Sequence, residues 1–198
     1  SPLHERKRAL RREIPERIRA LDPLERLRQE NSVRALLPKL PGYDEARVVL
    51  LYASAFPEEI DTRPLIDSAL ERGQRVLCPR VDRTLRALRL FEIRDPSRDF
   101  QPGTLSIPEP ATHCPERSAS EVDWALIPGL AFNLQGFRLG RGAGHYDRLL
   151  PQLRSDCPRW ALALDPQWVE DLPVEPHDQP VDGVASASRV QAVSRGSI

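Results

Sequence analysis

The sequence predicts an α/β protein in which helices pack on a mostly parallel sheet. Short, unbroken apolar runs such as 48–52 are typical of strands buried on both faces. Segment 61–72 carries apolar residues at helical spacing and a second apolar run follows at 76–78, so these three segments predict a βαβ unit. The 198 residues, 40% hydrophobic and 29% charged, suit a single domain over 1–198.

Two helices are predicted in an N-terminal segment, 1–40, before the first strand. Apolar residues recur at helical spacing in the first of them, at Leu3, Leu10, Ile14, Ile18 and Leu21. Pro15 interrupts this pattern and is expected to kink the helix. Asp22, Pro23 and Glu25 form a second helix start, with an N-cap, a proline at the first position and an acidic third position, and the pattern continues to Pro38.

The remaining elements follow from local composition. Segment 88–93 is either a third strand or the hairpin partner at an edge of the sheet. Proline, serine and charged residues dominate 94–121, which predicts a long connection with little secondary structure. Strands are predicted at 122–127 and 160–164, with a helix over 146–153. A glycine-rich segment joins strand 122–127 to that helix, at the carboxyl edge where open α/β sheets bind ligands.

Composition excludes several classes of protein. The 29 basic and 29 acidic residues cancel and no long block of like charge occurs, so nucleic-acid binding is not indicated. No apolar run approaches the length of a membrane span, and the arginine-rich N-terminus carries acidic residues that a transit peptide would lack. Three widely separated cysteines without a C-x-x-C motif argue against disulfides and a zinc cluster. We therefore expect reduced thiols and a cytoplasmic location.

The segment 128–147 is the most informative part of the chain. Glycine lets the backbone approach a ligand closely, so successive N–H groups can point at phosphate oxygens while Arg138 and Arg141 add positive charge. Asp147 would then lie where a phosphate-bound Mg²⁺ needs oxygen ligands. The dinucleotide fingerprint requires glycine at the position of His145, and a P-loop requires G-K-[ST], so neither known motif is present. On its glycines alone, the segment could equally be a flexible turn with solvated arginines.

Charged residues elsewhere also admit two interpretations. Lys7 and Arg11 are four residues apart and therefore lie on one helical face, at the rim of the apolar stripe. They either reach into a cleft or form a solvated pair. Lys7 and Lys39 are the only lysines, so Lys7 could mark a site that requires a compact charge. Glu59 could bind an amino-pyrimidine edge or could simply be a charge at a helix N-terminus.

The motifs as whole strings resemble one family. P-G-L-A-F at 128–132 followed by Q-G-F-R-L-G-R-G-A-G-H-Y-D at 135–147 is similar to the signature of the 5-formyltetrahydrofolate cyclo-ligase family, also called 5,10-methenyltetrahydrofolate synthetase. K-R-A-L-R at 7–11 and E-E-I-D-T at 58–62 occur in the expected order, and segments 73–80, 109–110 and 173–182 extend the resemblance over nearly the full length. His145 departs from the usual first tyrosine of the pair, and Ala143 departs from the usual glycine or lysine.

The resemblance implies a function and a fold. The reaction would convert 5-formyltetrahydrofolate and ATP into 5,10-methenyltetrahydrofolate, ADP and phosphate, through phosphorylation of the formyl oxygen and with Mg²⁺ present. The domain would be a three-layer α/β/α fold shared with sugar-phosphate isomerases and coenzyme A transferases. We expect a monomer that acts on small molecules and binds no nucleic acid or membrane. The alternative is a nucleotide- or folate-binding paralogue with a different amide substrate or no turnover.

The same resemblance assigns roles to individual residues. Catalytic roles fall to Lys7, Arg11 and Arg141. ATP would contact Lys7, Arg8, Arg11, Arg138, Leu139, Gly140, Arg141, Gly142, Ala143, Gly144, His145 and Tyr146. The folate would contact Tyr52, Glu59, Arg141, Gly144 and His145. Mg²⁺ would be bound by Asp147 and by a second carboxylate that matches Asp178 best, with Asp182 as a near alternative.

Overall fold

The computed structural model describes residues 1–103 and 106–194. In these residues, helices pack against a central β-sheet. The helices are α1 (Pro2–Arg19), α2 (Pro23–Leu36), α3 (Arg63–Glu71), α4 (Pro96–Asp99) and α5 (His145–Leu149). The strands are β1 (Val48–Leu50), β2 (Arg75–Asp82), β3 (Ala87–Ile93), β4 (Phe100–Pro102), β5 (Pro108–Pro110), β6 (Glu116–Arg117), β7 (Trp124–Leu126), β8 (Ala131–Phe132), β9 (Arg138–Leu139), β10 (Arg159–Leu162), β11 (Gly183–Ala185) and β12 (Val190–Ala192).

Eight of these strands form the central sheet, in the order β12-β11-β10-β7-β1-β2-β3-β6. The five strands from β11 to β2 run parallel. At the edges the pairing is antiparallel, of β12 with β11, of β3 with β2 and of β6 with β3. The predicted α/β class with a mostly parallel sheet is therefore confirmed, and so is the βαβ unit formed by β1, α3 and β2.

Apolar residues cover both faces of the sheet. On one face, Val49 of β1 belongs to the same buried cluster as Leu10 of α1 and Ile66 of α3. On the other face, Leu50 of β1 belongs to a second cluster that includes Leu149 of α5. Successive residues of a strand point to opposite faces, which explains why β1 is an unbroken apolar run. The layers are helix, sheet and helix.

The N-terminal helices agree with their sequence signals. Asp22 caps α2 by accepting hydrogen bonds from the N–H groups of Leu24 and Glu25, at 3.0 and 3.2 Å. Pro15 is buried inside α1, which continues through it, so proline does not end the helix; the kink stays a prediction. Among the described residues, no helix has both the length and the apolar character that crossing a bilayer requires.

The segment 94–121 contains more structure than predicted. β4 and β5 pair as a separate two-stranded sheet, α4 precedes them, and β6 extends the edge of the central sheet. These elements are only two to four residues long, so none could show a periodic apolar pattern. Segment 88–93, which was either a third strand or a hairpin partner at the edge, belongs to β3. This strand pairs with β2 in an antiparallel hairpin, from Val76 opposite Ile93 to Asp82 opposite Ala87.

The glycine-rich segment also differs from its prediction. A small hairpin of β8 and β9 lies between β7 and the glycines, with Ala131 opposite Leu139. α5 is shorter than the predicted 146–153 and continues only as a 3-10 turn, Leu150–Gln152, because Pro151 has no N–H to extend the helix.

The strand order creates a crevice at the carboxyl edge. From β1 the chain adds β2 on one side, whereas β7, β10 and β11 are added on the other side. Neighbouring loops therefore diverge between β1 and β7, which is where open α/β sheets bind ligands. Residues 51–59 leave β1 and residues 127–130 leave β7 at this point.

Candidate functional site

A cavity of about 510 Å³ lies at the divergence of β1 and β7. Its walls come from α1, the segment after β1, and the segment from 128 to the start of α5. Fifteen of the predicted site residues line it: Lys7, Arg11, Tyr52, Glu59, Arg138, Leu139, Gly140, Arg141, Gly142, Ala143, Gly144, His145, Tyr146, Asp147 and Asp178. The fold thus brings together groups that are up to 171 positions apart in the chain.

Arg8 is the predicted site residue that is not brought to the cavity. Its side chain is exposed, and it does not belong to the lining. A helix turns about 100° per residue, so the face that carries Lys7 and Arg11 into the cavity directs Arg8 elsewhere. The geometry gives no support to the predicted contact of Arg8 with ATP.

Residues 140–144, which we call the glycine loop, connect β9 to α5. Gly142 and Gly144 have φ angles of +113° and +68°, which other residues rarely adopt. Within the described parts of the chain, the N–H groups of 141–144 donate to no backbone or side-chain acceptor. A row of unpaired amides beside a cavity is the property that an anion-binding loop needs.

Arg11 anchors the start of the glycine loop. Its Nε donates to the carbonyl oxygen of Gly140 at 3.0 Å. The guanidinium also lies beside Gly142, because a Cβ on that residue would be 3.6 Å from Arg11 Cζ. Arg11 therefore presents its charge at the loop while it holds one loop carbonyl.

Lys7 is buried at one end of the cavity and bridges two carboxylates. Its Nζ donates to Glu175 Oε2 at 2.7 Å and to Asp178 Oδ2 at 2.8 Å. Burial lowers the pKa of Lys7, but the hydrogen bonds with Asp178 and Glu175 outweigh it, so this pKa lies above its usual value. Burial raises the pKa of Asp178, but its bonds from Lys7 and from the Glu175 N–H bring it below the usual value.

Arg138 of β9 and Asp147 of α5 form a second ion pair, next to the segment that carries Asp178. Arg138 Nη2 donates to Asp147 Oδ1 at 3.0 Å, and the same oxygen accepts from the N–H of Gln179 at 3.2 Å. Burial lowers the pKa of the Arg138 guanidinium, and Asp147 partly offsets this. Arg138 Nε is buried and has no acceptor among the described residues. Asp147 and Asp178 are thus held on adjoining segments.

Arg141 spans the cavity from the glycine loop to the turn after β1. Its Nη2 donates to Glu58 Oε1 at 3.0 Å and lies 3.4 Å from Glu59 Oε1. The guanidinium stacks on the Phe56 ring at 3.5 Å. Glu59 Oε2 accepts from the N–H groups of Ala55 and Phe56, at 2.7 and 3.2 Å. Residues 56–59 form a turn and α3 begins at residue 63, so the interpretation of Glu59 as a helix N-terminal charge was wrong.

Aromatic and imidazole groups complete the lining. Burial raises the pKa of Tyr52 and of Tyr146, so both phenols stay protonated. His145 Nδ1 lies 3.1 Å from Arg148 Nη2, which can only donate, so this nitrogen is the acceptor. Burial and the adjacent Arg148 charge lower the pKa of His145.

Carboxylates near Lys7 have the chemistry of a divalent-cation site. Ligand atoms of Glu175, His177 and Asp178 lie within 4.8 Å of one another, and Asp147 adjoins them through Gln179. Carboxylate oxygens are preferred by Mg²⁺, so the donor set fits this ion. Asp182, the alternative to Asp178, does not line the cavity and instead accepts from the N–H of Arg159 at 2.7 Å.

Several residues in or beside the cavity were missed from the sequence. Glu58 and Glu175 are the acidic partners of Arg141 and Lys7, and Glu175 could have been noticed because it lies three positions before Asp178. The other end of the cavity is apolar and is formed by Pro79, Val81, Leu88, Ile107 and Pro108. Apart from Pro79, which lies in the matched segment 73–80, these residues carry no motif, and only the β2–β3 hairpin and the β4–β5 pair place them there.

Fold and cavity together define the class: an α/β protein with unpaired amides, four cations and several carboxylates around a cavity at the switch point of a parallel sheet. Residues 3–187 match the model of the 5-formyltetrahydrofolate cyclo-ligase family. The chain belongs to this family, as its motifs predicted.

Relatives and a solved structure agree with this membership. The 5-formyltetrahydrofolate cyclo-ligase of Escherichia coli is 32% identical over 179 residues, which cover 89% of this chain and 98% of the relative. That of Mycolicibacterium smegmatis is 31% identical over 188 residues, covering 90% of this chain and 89% of the relative. The structure of Aquifex aeolicus 5,10-methenyltetrahydrofolate synthetase has a TM-score of 0.82 at 29% identity, covering 97% of this chain and 95% of that chain.

Proposed function

We propose that this protein uses ATP and Mg²⁺ to convert 5-formyltetrahydrofolate into 5,10-methenyltetrahydrofolate, with release of ADP and phosphate. The observation that carries the proposal is the cavity itself, in which Lys7, Arg11, Arg138 and Arg141 face the carboxylates Asp147 and Asp178 and adjoin an apolar end. A reaction between a triphosphate and a largely planar ring system requires both kinds of surface. Family membership adds the substrate class.

The glycine loop is the part that suits the phosphates. Its unpaired N–H groups and the arginines on either side offer donors and charge without further folding. Arg141 would exchange Glu58 and Glu59 for phosphate oxygens when ATP binds, because a guanidinium binds either group through the same donors. The buried Arg138 would act mainly by holding Asp147.

Asp147 and Asp178 would hold Mg²⁺, with Glu175 close to Asp178. When bound, the ion would neutralise charge on the phosphates during transfer. Lys7 now satisfies Asp178 and Glu175, so it would share these carboxylates with the ion or turn towards a phosphate.

The apolar end of the cavity would receive the folate ring. Val81, Leu88 and Ile107 offer surface to its faces, and Glu59 faces the same space with its Oε1. Two backbone N–H groups fix the other oxygen of Glu59, so the carboxylate is held in place before a ligand arrives. An ordered carboxylate can accept N–H groups from an amino-pyrimidine edge. Tyr52 and Tyr146 would pack beside the ring, and His145 would stay on the Arg148 side.

The chemical difficulty is that a formyl amide is a poor electrophile. In the proposed reaction the formyl oxygen attacks the γ-phosphorus and ADP leaves. The second folate nitrogen then adds to the activated carbon and loses its proton, and phosphate departs with the C–O bond electrons. This chemistry needs alignment and charge stabilisation rather than a protein nucleophile. Arg11 and Arg141, which both line the cavity, would stabilise charge as it develops on the transferred group.

One assay tests the proposal. The protein is mixed with 5-formyltetrahydrofolate, ATP and Mg²⁺, and the near-ultraviolet absorbance of the methenyl product is followed together with ADP release. Product and ADP in equal amounts are expected. ATP hydrolysis or tight folate binding without methenyl product would instead support the paralogue alternative. Product formation without ATP would remove the glycine loop from the proposed mechanism.

We also propose that the protein acts as a monomer in a reducing compartment such as the cytoplasm. All three cysteines are free and buried, which supports the reducing environment. Light scattering coupled to gel filtration measures the mass directly, and a value near twice 22.4 kDa would contradict the monomer.

A further inference from the structure

We propose that Arg148, a residue outside the cavity, is a positioning residue for the glycine loop. This inference rests on the proposed function of the loop as the phosphate-binding element. Arg148 lies in α5 with an exposed side chain and is not part of the lining. Its guanidinium nevertheless contacts acceptors on two separate walls of the site.

The first contact acts on the loop. Arg148 Nη2 donates to the carbonyl oxygen of Ala143 at 2.9 Å. In a planar trans peptide, the N–H of the next residue points opposite to the carbonyl. Because Arg148 lies outside the lining, we infer that its bond keeps the Ala143 carbonyl on the outer side of the loop and the N–H of Gly144 on the cavity side. Arg11 holds the Gly140 carbonyl at the other end, so the loop is anchored by one arginine at each end.

A second contact joins the loop to the apolar end of the cavity. Arg148 Nε and Nη2 donate to the carbonyl oxygen of Arg86, at 3.0 and 2.6 Å. Arg86 has a φ of +51°, an uncommon conformation that turns the hairpin between β2 and β3. This hairpin carries Val81 and Leu88 to the apolar end. One guanidinium therefore holds the phosphate loop against the wall that would contact the folate.

The glycine at position 144 fits this arrangement. A Cβ on Gly144 would be 3.0 Å from Arg148 Nη1, closer than most real contacts of a Cβ. His145 Nδ1 offers the guanidinium a further acceptor at 3.1 Å. The loop and Arg148 thus form one packed unit, which gives His145 a place in it that does not require contact with a ligand.

The test measures binding of Mg-ATP by calorimetry and, separately, KM and kcat. Arg148→Ala should raise the ATP dissociation constant about tenfold, because the loss of the bonds to two carbonyls leaves the loop amides without a fixed direction. Arg148→Lys keeps the charge but loses the planar fork that bonds the Arg86 carbonyl through both Nε and Nη2, and should raise it about threefold. The rise should appear in KM for ATP, with a smaller change in kcat, and amide hydrogen exchange in the loop should accelerate.

Arg154→Ala is the matched control. Arg154 is a partly exposed arginine, and it also bonds a backbone carbonyl, that of Ser120 at 2.8 Å, away from the cavity. If Arg148→Ala and Arg148→Lys change ATP affinity no more than Arg154→Ala does, the positioning role is wrong. A wild-type protein that binds ATP but forms no methenyl product would overturn the proposed reaction alone, and the affinity comparison would still decide on Arg148. Absence of ATP binding by the wild type would overturn both.

Discussion

Replacing Glu58 by Gln is expected to tighten ATP binding, although Glu58 lines no part of the main cavity. The reason is that Arg141 is already engaged, by Glu58 at 3.0 Å and Glu59 at 3.4 Å. Phosphate oxygens that bind this guanidinium must first displace the carboxylates. E58Q keeps the shape of the side chain and removes one competing charge, so less free energy is lost when Arg141 changes partners.

The size of the effect follows from exposure. The Arg141 side chain is 36% exposed and that of Glu58 is 9% exposed, so the pair is screened on one side only. Such a pair contributes about 1 kcal/mol, near the upper limit for partly exposed ion pairs. E58Q should therefore lower the ATP dissociation constant roughly threefold to fivefold, since the Gln oxygen still accepts a weaker bond.

Calorimetric titration of Mg-ATP into wild type and E58Q measures this directly. Glu116→Gln is the control, because it also removes one negative charge from an arginine partner, Arg89, and Glu116 does not line the cavity. E116Q should leave the dissociation constant unchanged. An E58Q value equal to or above that of the wild type would show that Arg141 keeps Glu58 in the complex, and the exchange of partners would be refuted.

Three further outcomes are expected. Asp147→Asn should reduce ATP-dependent turnover by about a hundredfold with little loss in melting temperature, and unchanged turnover would exclude Asp147 as a metal ligand. Burial raises the pKa of Glu92, but hydrogen bonds from three arginines outweigh burial and lower this pKa to about 2. The Glu92 carboxylate should therefore stabilise the fold by about 2 kcal/mol above pH 4.5, and this stabilisation should be lost as the pH falls towards 2. Urea unfolding of Glu92→Gln should lack this pH dependence, and equal acid sensitivity of the two proteins would refute the assignment. Gly136→Ala should lower the free energy of unfolding by about 3 kcal/mol, and Gly73→Ala should lower it by about 1 kcal/mol. Both glycines have positive φ, but only at Gly136 would a Cβ lie 2.6 Å from the Val181 carbonyl oxygen. Equal unfolding midpoints of the two variants would contradict this difference.

Much of the fold follows from local pattern. The period of the apolar residues predicted α1, α2 and the helix inside the βαβ unit, and the Asp22 cap is confirmed by its hydrogen bonds. Prediction failed where elements are too short to show a period, as in β4, β5, β8 and β9. The prediction also set α5 too long, because Leu153 continues the apolar pattern after Pro151 although the backbone cannot continue the helix.

The sequence alone indicated the candidate site residues, because Lys7 and Arg11 share a helical face by spacing and the glycines of 140–144 permit a loop of unpaired amides. Only the tertiary structure decided their partners. Arg141 meets Glu58 across 83 positions and Lys7 meets Asp178 across 171, because β1 and β7 are neighbours in the sheet and the C-terminal segment returns beside α1. Local sequence encodes dihedral preference and period, whereas such contacts depend on strand order, which packing of the whole chain selects.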